Sequence, residues 1–432
     1  MDVPLSPKLT RATLAPLLKG AGEIYVSACA GEIAELPGML DASAGAATVT
    51  GIFSPLVNSQ SYANAETGRR CRTFFLNHAL RRDLQCGLVD FCPWSYGRIH
   101  RWIRQPGLFD AAIVVVAPPD ASGHCSFGTQ VDFIPDFYRQ VGRLIGVVNP
   151  NMPRTRGAQG IHLSEFDALF EHDAALLEYG DEDGAPDPVG DAIAANAARL
   201  VTDGATIQLG IGRLPRAIAA ALRDRRNLRI HSGLIDDAVI TLEDCGALDR
   251  STTVVSGVAI GSEALYRRLV DSARFSFQPV SRTHDRAAIA SSAHFIALNA
   301  AIQVDLFGQV NSEVSNGRFI ASPGGLPDFL RGAQESPNGK AVISVRASGG
   351  RRGQGGIVAR FAEPYLITSA RVDADIVVSE FGIAEIGNLS MDRRAEALIG
   401  IAAPDQRASL QVAWDAMRAA GIAWNNGGRE AT

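Results

Sequence analysis

Two glycine-bearing segments carry the residue types best suited to chemistry. Leu209-Gly210-Ile211-Gly212-Arg213-Leu214-Pro215 follows the apolar run Ala205-Thr206-Ile207-Gln208-Leu209 and leads into a helix-forming stretch. Glycines at such a turn let main-chain N–H groups approach a ligand oxygen, and Pro215 suits a first helical turn. The segment can therefore hold a phosphate or the oxyanion of an acyl-transfer intermediate; as a lone GxG it reads equally well as a tight turn. Ser322-Pro323-Gly324-Gly325-Leu326-Pro327-Asp328-Phe329 offers a second glycine pair ahead of a second helix. Lys340 precedes the strand Ala341-Val342-Ile343, where its ammonium can meet a phosphate or a pantetheine amide, or simply face solvent. His231 and His284 fall at loop positions, without the spacing of a metal site.

Familiar alternatives are missing from the sequence. It has no GxxxxGK[ST], HExxH or GxSxG, and no strand-linked GxGxxG with an acidic partner. That disfavours nucleotide hydrolysis, zinc peptidase, esterase and dinucleotide chemistry. The formal charge of −5 opposes a general nucleic-acid binder, which needs a dense basic face. Six cysteines stand apart with no CxxC pair, as expected of small apolar residues in a reducing compartment. The opening MDVPLSPKLT lacks the apolar stretch of a secretion signal, and the longest apolar run, Ala111 to Pro119, is less than half a membrane span. The expectation is a cytoplasmic protein with no membrane and no nucleic-acid partner.

The elements that must position these loops read as an alternation of helices and short apolar strands. Strands are expected at Ala112–Val116, Leu144–Val148, Ala341–Val345 and Ile376–Val378, and a first helix from Pro7 to Lys19 capped by Ser6. This alternation predicts an α/β fold with largely parallel sheets, in which ligands bind beyond the carboxyl ends of the strands. The pattern also repeats. A helix, a Gly-bearing turn and a strand run through Gly22 to Ser27 and again through Gly204 to Leu209. Asp120-Ala-Ser-Gly123-His-Cys-Ser126 resembles Asp305-Leu-Phe-Gly308-Gln-Val-Asn311 at nearly the same offset. Two echoes at one spacing predict a duplicated α/β domain, residues 1–180 and 189–432. The acidic, Gly/Pro-bearing Glu178–Pro188 reads as the linker between them. Gly349–Gly356, basic and glycine-rich, reads as a mobile loop.

Taken together, the motifs resemble the acetyl-CoA hydrolase/CoA-transferase family, and within it single-chain 4-hydroxybutyrate, butyrate and acetate CoA-transferases. The matching segments run in order: PDASGHCSFG (Pro119–Gly128), NPNMPRTRG (Asn149–Gly157), DGATIQLGIGRLP (Asp203–Pro215), HSGLIDDAV (His231–Val239), LNAAIQVDLFGQVNSE (Leu298–Glu313), GGLPDFLRG (Gly324–Gly332), SEFGIA (Ser379–Ala384) and RAEALIGIAAPDQR (Arg394–Arg407). The resemblance implies two similar open α/β CoA-transferase domains in one chain, with the active site between them. It implies coenzyme A or acyl-CoA as substrate, a small carboxylic acid as possible acceptor, no permanently bound cofactor, no metal, and a homodimer or higher oligomer. Family members attack the thioester with a glutamate and pass through a glutamyl-CoA thioester. Backbone N–H groups of Gly210, Ile211, Gly212, Gly324 and Gly325 are then expected to hold oxyanions, with Lys340 on the CoA.

One departure governs the chemistry. Where the family reads His-Ser/Thr-Glu, this chain reads His231-Ser232-Gly233, and glycine cannot form the anhydride. His284 stands at or near a family asparagine, Leu326 replaces a glutamine, and Arg213 and Arg216 replace a small residue and an asparagine. The expected function is therefore an acyl-CoA-processing enzyme with altered catalysis, hydrolysing a thioester or a ketone in the acyl group. Asp236, His284 and Glu313 are its candidate catalytic residues. Two alternatives stand beside it: CoA transfer with another carboxylate, such as Asp236, in the glutamate's place, and a non-catalytic CoA-binding subunit.

Overall fold

Runs of β-branched and small apolar residues, too short for stable helices, form the strands. In the computed structural model, which describes residues 7–41, 43–180, 186–348, 355–361 and 366–420, lobe one holds a seven-stranded sheet. Its strands are β1 (Glu23–Val26), β2 (Thr48–Gly51), β3 (Arg70–Thr73), β4 (Val89–Phe91), β5 (Ala111–Val116), β6 (Leu144–Val148) and β7 (Ala168–Glu171), in the order β4-β3-β2-β1-β5-β6-β7. Every pairing is parallel. All six residues of β5 are buried, which is why its sequence, AAIVVV, does not alternate: both faces of the sheet are covered.

Lobe two repeats the plan. Its principal strands are β8 (Thr206–Leu209), β9 (Arg229–Ile230), β10 (Val254–Ser256), β11 (Phe275–Phe277), β12 (Phe295–Ala300), β13 (Lys340–Ser344), β14 (Ile376–Ser379) and β15 (Gly382–Glu385). The main sheet runs β9-β8-β12-β13-β14-β15, with β15 antiparallel at the edge. The parallel pair β10-β11 continues it through a bridge from His231 to Val255. The resulting order, β11-β10-β9-β8-β12-β13-β14, is that of lobe one. The chain is thus two similar open α/β domains. The second sequence echo is a true structural repeat as well. Asp120 Oδ1 accepts the N–H groups of Ser122 (2.8 Å) and His124 (3.0 Å), and Asp305 Oδ1 accepts those of Phe307 (3.1 Å) and Gln309 (2.8 Å). Gly123 and Gly308 take the same positive φ, 81° and 86°, where a side chain would be strained.

The first helix is shorter than the sequence suggests. It spans Arg11–Leu18 and starts at Thr10, whose hydroxyl accepts the Thr13 N–H while Thr13 answers in kind. Ser6, part of the linker (181–185) and most of the basic loop (349–354) lie outside the described residues.

Main-chain hydrogen bonds sew the lobes together. Val131 N donates to Gly257 O (3.0 Å), Ala259 N to Thr129 O (2.8 Å), Val280 N to Asp132 O (2.8 Å), and Phe277 N and Ala158 N exchange with Arg156 O and Phe277 O (both 2.7 Å). One apolar core runs through this seam, from Tyr25, Phe74 and Phe109 in lobe one to Ile207, Phe277 and Leu298 in lobe two. Among the described residues no helix is long and apolar enough to cross a membrane.

Candidate functional site

A cavity of about 380 Å³ opens between the lobes. Lobe two supplies the carboxyl ends of β8 (Leu209, Gly210, Ile211) and β12 (Asn299, Ala300), the turn Ser232-Gly233-Leu234, His284 and the segment Ile320–Leu326. Lobe one supplies Cys29, Ile52, Ser54, Phe75 and Tyr96. This is where parallel α/β sheets place their ligands, because strand-to-helix loops converge there. Gln208 and Asn299, on neighbouring strands, satisfy each other's amides across the floor (2.8 and 3.3 Å).

The two glycine segments behave differently. The Gly210 N–H is already donated to Leu298 O at 3.1 Å, so it holds the loop to β12 and is not free for a ligand. Gly212, at φ 106°, opens the helix Arg213–Ala221, and no side chain caps that helix end. Gly325 opens the helix Leu326–Glu335, likewise without a side-chain cap. Such ends present main-chain N–H groups with positive dipole character. Gly324 is fixed from lobe one, its carbonyl accepting the Tyr96 N–H at 2.9 Å.

His284 is the group packed against the expected nucleophile position. A Cβ placed on Gly233 would lie 2.6 Å from His284 Cε1 and 2.7 Å from Nε2, and one on Gly325 would be closer still to the ring. Tyr96 stacks on the imidazole at 4.5 Å, and Phe329 tilts against it at 4.7 Å. The ring thus fills volume that two glycines leave open. Its Nδ1 lies 2.9 Å from Thr283 Oγ1, while that hydroxyl donates to Pro279 O at 3.3 Å. Burial, aided by His231 and His100, lowers the pKa of His284 to about 3, so the ring is neutral. His231 Nε2–H donates to Thr283 O (2.9 Å), and its pKa too is lowered by burial.

The other candidates stand elsewhere. Asp236 forms an ion pair with Arg216 at 2.7 Å and accepts the Ala238 N–H, and it does not border the cavity. Glu313 follows the lining residue Ser312 but is itself buried outside the wall. Burial raises its pKa against a hydrogen bond from Thr368. Lys340 donates to Leu200 O at 3.0 Å from the amino end of β13, the wrong end of the sheet for the site. Among the described residues lining the cavity the ionisable groups are Cys29, Tyr96 and His284, and none is a carboxylate. Cys29 and Tyr96 escaped the sequence reading because neither lies in a motif: lobe-one loops bring them across. The Cys29 thiol donates to Ile52 O (3.5 Å), and burial pushes its pKa up.

Comparison with known proteins gives a consistent picture. Residues 41–178 match the model of the acetyl-CoA hydrolase/transferase N-terminal domain, and residues 261–414 that of the C-terminal domain. The 4-hydroxybutyrate coenzyme A transferase of Clostridium kluyveri is 33% identical over 79% of this chain and 81% of its own length. The succinyl-CoA:cyclohexane-1-carboxylate CoA transferase of Geobacter metallireducens is 31% identical over 79% of each chain. The crystal structure of RipA from Yersinia pestis superposes with a TM-score of 0.83 at 26% identity, covering 95% of this chain and 98% of RipA.

Proposed function

The chain belongs to the acetyl-CoA hydrolase/transferase family, and from that premise we propose that it cleaves an acyl-CoA with water as the attacking group, not a protein carboxylate. The observation that carries this reading is the imidazole of His284 packed into the space beside Gly233, on a cavity wall with no described carboxylate.

The hydrogen-bond order favours one tautomer. Thr283 spends its single proton on Pro279 O, so it accepts from Nδ1–H, which leaves the lone pair on Nε2. Water held there loses a proton to Nε2 as its oxygen bonds to the thioester carbonyl carbon. The N–H groups of Gly212 and Gly325, at the uncapped helix ends, stabilise the oxyanion. The C–S bond then breaks, and the departing sulfur takes the proton from the imidazolium. A base this hard to protonate works only when negative charge develops beside it, as it does in this intermediate. A ketone within the acyl group would be attacked by the same geometry. Transfer through Asp236 is disfavoured, because that carboxylate is spent on Arg216.

The test is an acyl-CoA panel assayed with and without acetate. Free thiol should appear without an acceptor, and borohydride should not inactivate the protein. Acetate-dependent formation of acetyl-CoA with no background thiol release would overturn the reading.

A further inference from the structure

The imidazole of His284 is seated from both lobes, and the groups that seat it lead to Asp328, a residue outside the cavity wall. A hydrogen bond between Nδ1 and Thr283 Oγ1 holds one edge of the ring. Its plane is set by two aromatic neighbours, Phe329 from lobe two and Tyr96 from lobe one, the latter stacked with only 28° between the rings. Tyr96 is the first residue of the helix Tyr96–Ile103, so its place over the imidazole depends on where that helix begins. Lobe two decides this. Gly324 O accepts the Tyr96 N–H (2.9 Å), and Asp328 Oδ2 accepts the N–H of the next residue, Gly97 (3.0 Å). Position 97 leaves no space for a side chain, since a Cβ there would lie 2.8 Å from Asp328 Oδ1. A glycine is what lets the two elements approach this closely.

Asp328 stands in the first turn of its own helix, Leu326–Glu335, and takes the N–H of the second residue of the other. Both helix ends have positive dipole character, and one carboxylate between them favours both. Gly325 opens the same lobe-two helix, so the clamp ties the aromatic cover of the imidazole to a main-chain donor of the oxyanion. We propose that Asp328 is a positioning residue for hydrolysis: across the seam it fixes Tyr96 against His284 and so keeps Nε2 in the orientation that takes a proton from water. The inference rests on reading His284 as the general base. A carboxylate that only capped a helix would add stability and leave the imidazole where it is, and that difference can be measured.

The experiment follows the ring itself beside the reaction. The full chain is labelled with carbon-13 at histidine Cε1, and the His284 resonance is assigned by its disappearance in His284→Asn. Tyr96→Leu removes the stacked ring and gives the position of that resonance without its ring current. Asp328→Ala should carry the resonance most of the way to this position. It should also lower kcat by about 10- to 100-fold, the scale of a displacement of about 1 Å, while the Kd of a non-hydrolysable CoA thioether changes by less than about twofold. Asp328→Asn, which keeps an acceptor oxygen for the Gly97 N–H, should hold the wild-type resonance and most of kcat. Gly97→Ala presses on the carboxylate from the other side and should shift the resonance in the same direction. A wild-type resonance in folded Asp328→Ala, or in Gly97→Ala where the former does not fold, overturns the clamp. So does a displaced ring with undiminished kcat, or a shift in Asp328→Asn as large as in Asp328→Ala. A displaced resonance in Asp328→Ala with no thioester hydrolysis by the wild-type protein leaves the clamp on the ring standing and sinks the hydrolytic reading instead.

Discussion

Lobe one and lobe two share a strand order and an Asp-capped turn, yet they bring opposite things to the cavity. Lobe two delivers main-chain donors through the strand-to-helix loops expected of its fold, and one neutral imidazole from the junction of two short helices. Lobe one delivers the aromatic rings of Phe75 and Tyr96, with Cys29 and Ser54 beside them. The same skeleton thus presents different surfaces to one cavity, main-chain donors and an imidazole from one half and aromatic and apolar side chains from the other. Duplication fixes where loops emerge, and the loop residues decide what each half does.

The sharpest way to break this division is to remove the lobe-two imidazole. His284→Ala should lower kcat/KM for thioester hydrolysis by about 10²- to 10⁴-fold, the usual worth of a positioned base, while the Kd of a non-hydrolysable CoA thioether changes far less. A loss of both together would mean that the lobes do not act separately. Restoring a carboxylate tests the same wall. Gly233→Glu alone should gain no transferase activity, because its Cβ collides with the ring. Gly233→Glu with His284→Asn should produce acceptor-dependent transfer and borohydride sensitivity.

A smaller effect is expected from pH. Since the folded protein keeps His284 neutral to about pH 3, the unfolded chain takes up a proton below pH 6.5 that the folded one refuses. Stability should therefore be undiminished above pH 6.5 and fall on acidification, by up to about 1.4 kcal/mol per pH unit from this group. Denaturant titrations at pH 7 and pH 5 should show a shallower fall for His284→Asn. Hydrolysis should show no acid limb near pH 6.5.

The smallest contrast lies in the twin turns. Exposed Asp120 is pulled down to about 2, first by the His124 N–H and then by Ser122, whereas buried Asp305 is raised by burial against similar hydrogen bonds. Asp120 thus contributes stability above its ordinary pKa that fades as pH falls towards 2. Asp305 withdraws stability as pH rises from its ordinary value through its raised one. Asp120→Asn should lower Tm slightly at pH 7, and Asp305→Asn should leave it level or raise it, each by less than about 2 °C.

Much of this skeleton was legible in the sequence. The apolar runs located β5, β6, β13 and β14 within a residue, and the Asp-x-x-Gly echo announced the repeat. Gly233 and His284 were both singled out, but that they touch was not, since they lie on separate loops and only the fold juxtaposes them. Lys340 misled because a lysine beside a strand carries no sign of which strand end it occupies. Asp236 misled because its partner, Arg216, sits on the helix Arg213–Ala221, far from it in sequence. Tyr96 gave no signal at all: it opens a helix, Tyr96–Ile103, that follows Pro93-Trp94 and carries no motif.

The main-chain stitching between Thr129–Asp132, Arg156–Ala158 and the strands around Gly257 and Phe277 has a mechanical consequence. Each of those bonds is worth about 1 kcal/mol, and prising the halves apart would break them together and wet the apolar core that crosses the join. Swinging the halves apart would therefore be costly, and the expected route for substrate and product is the existing mouth between them.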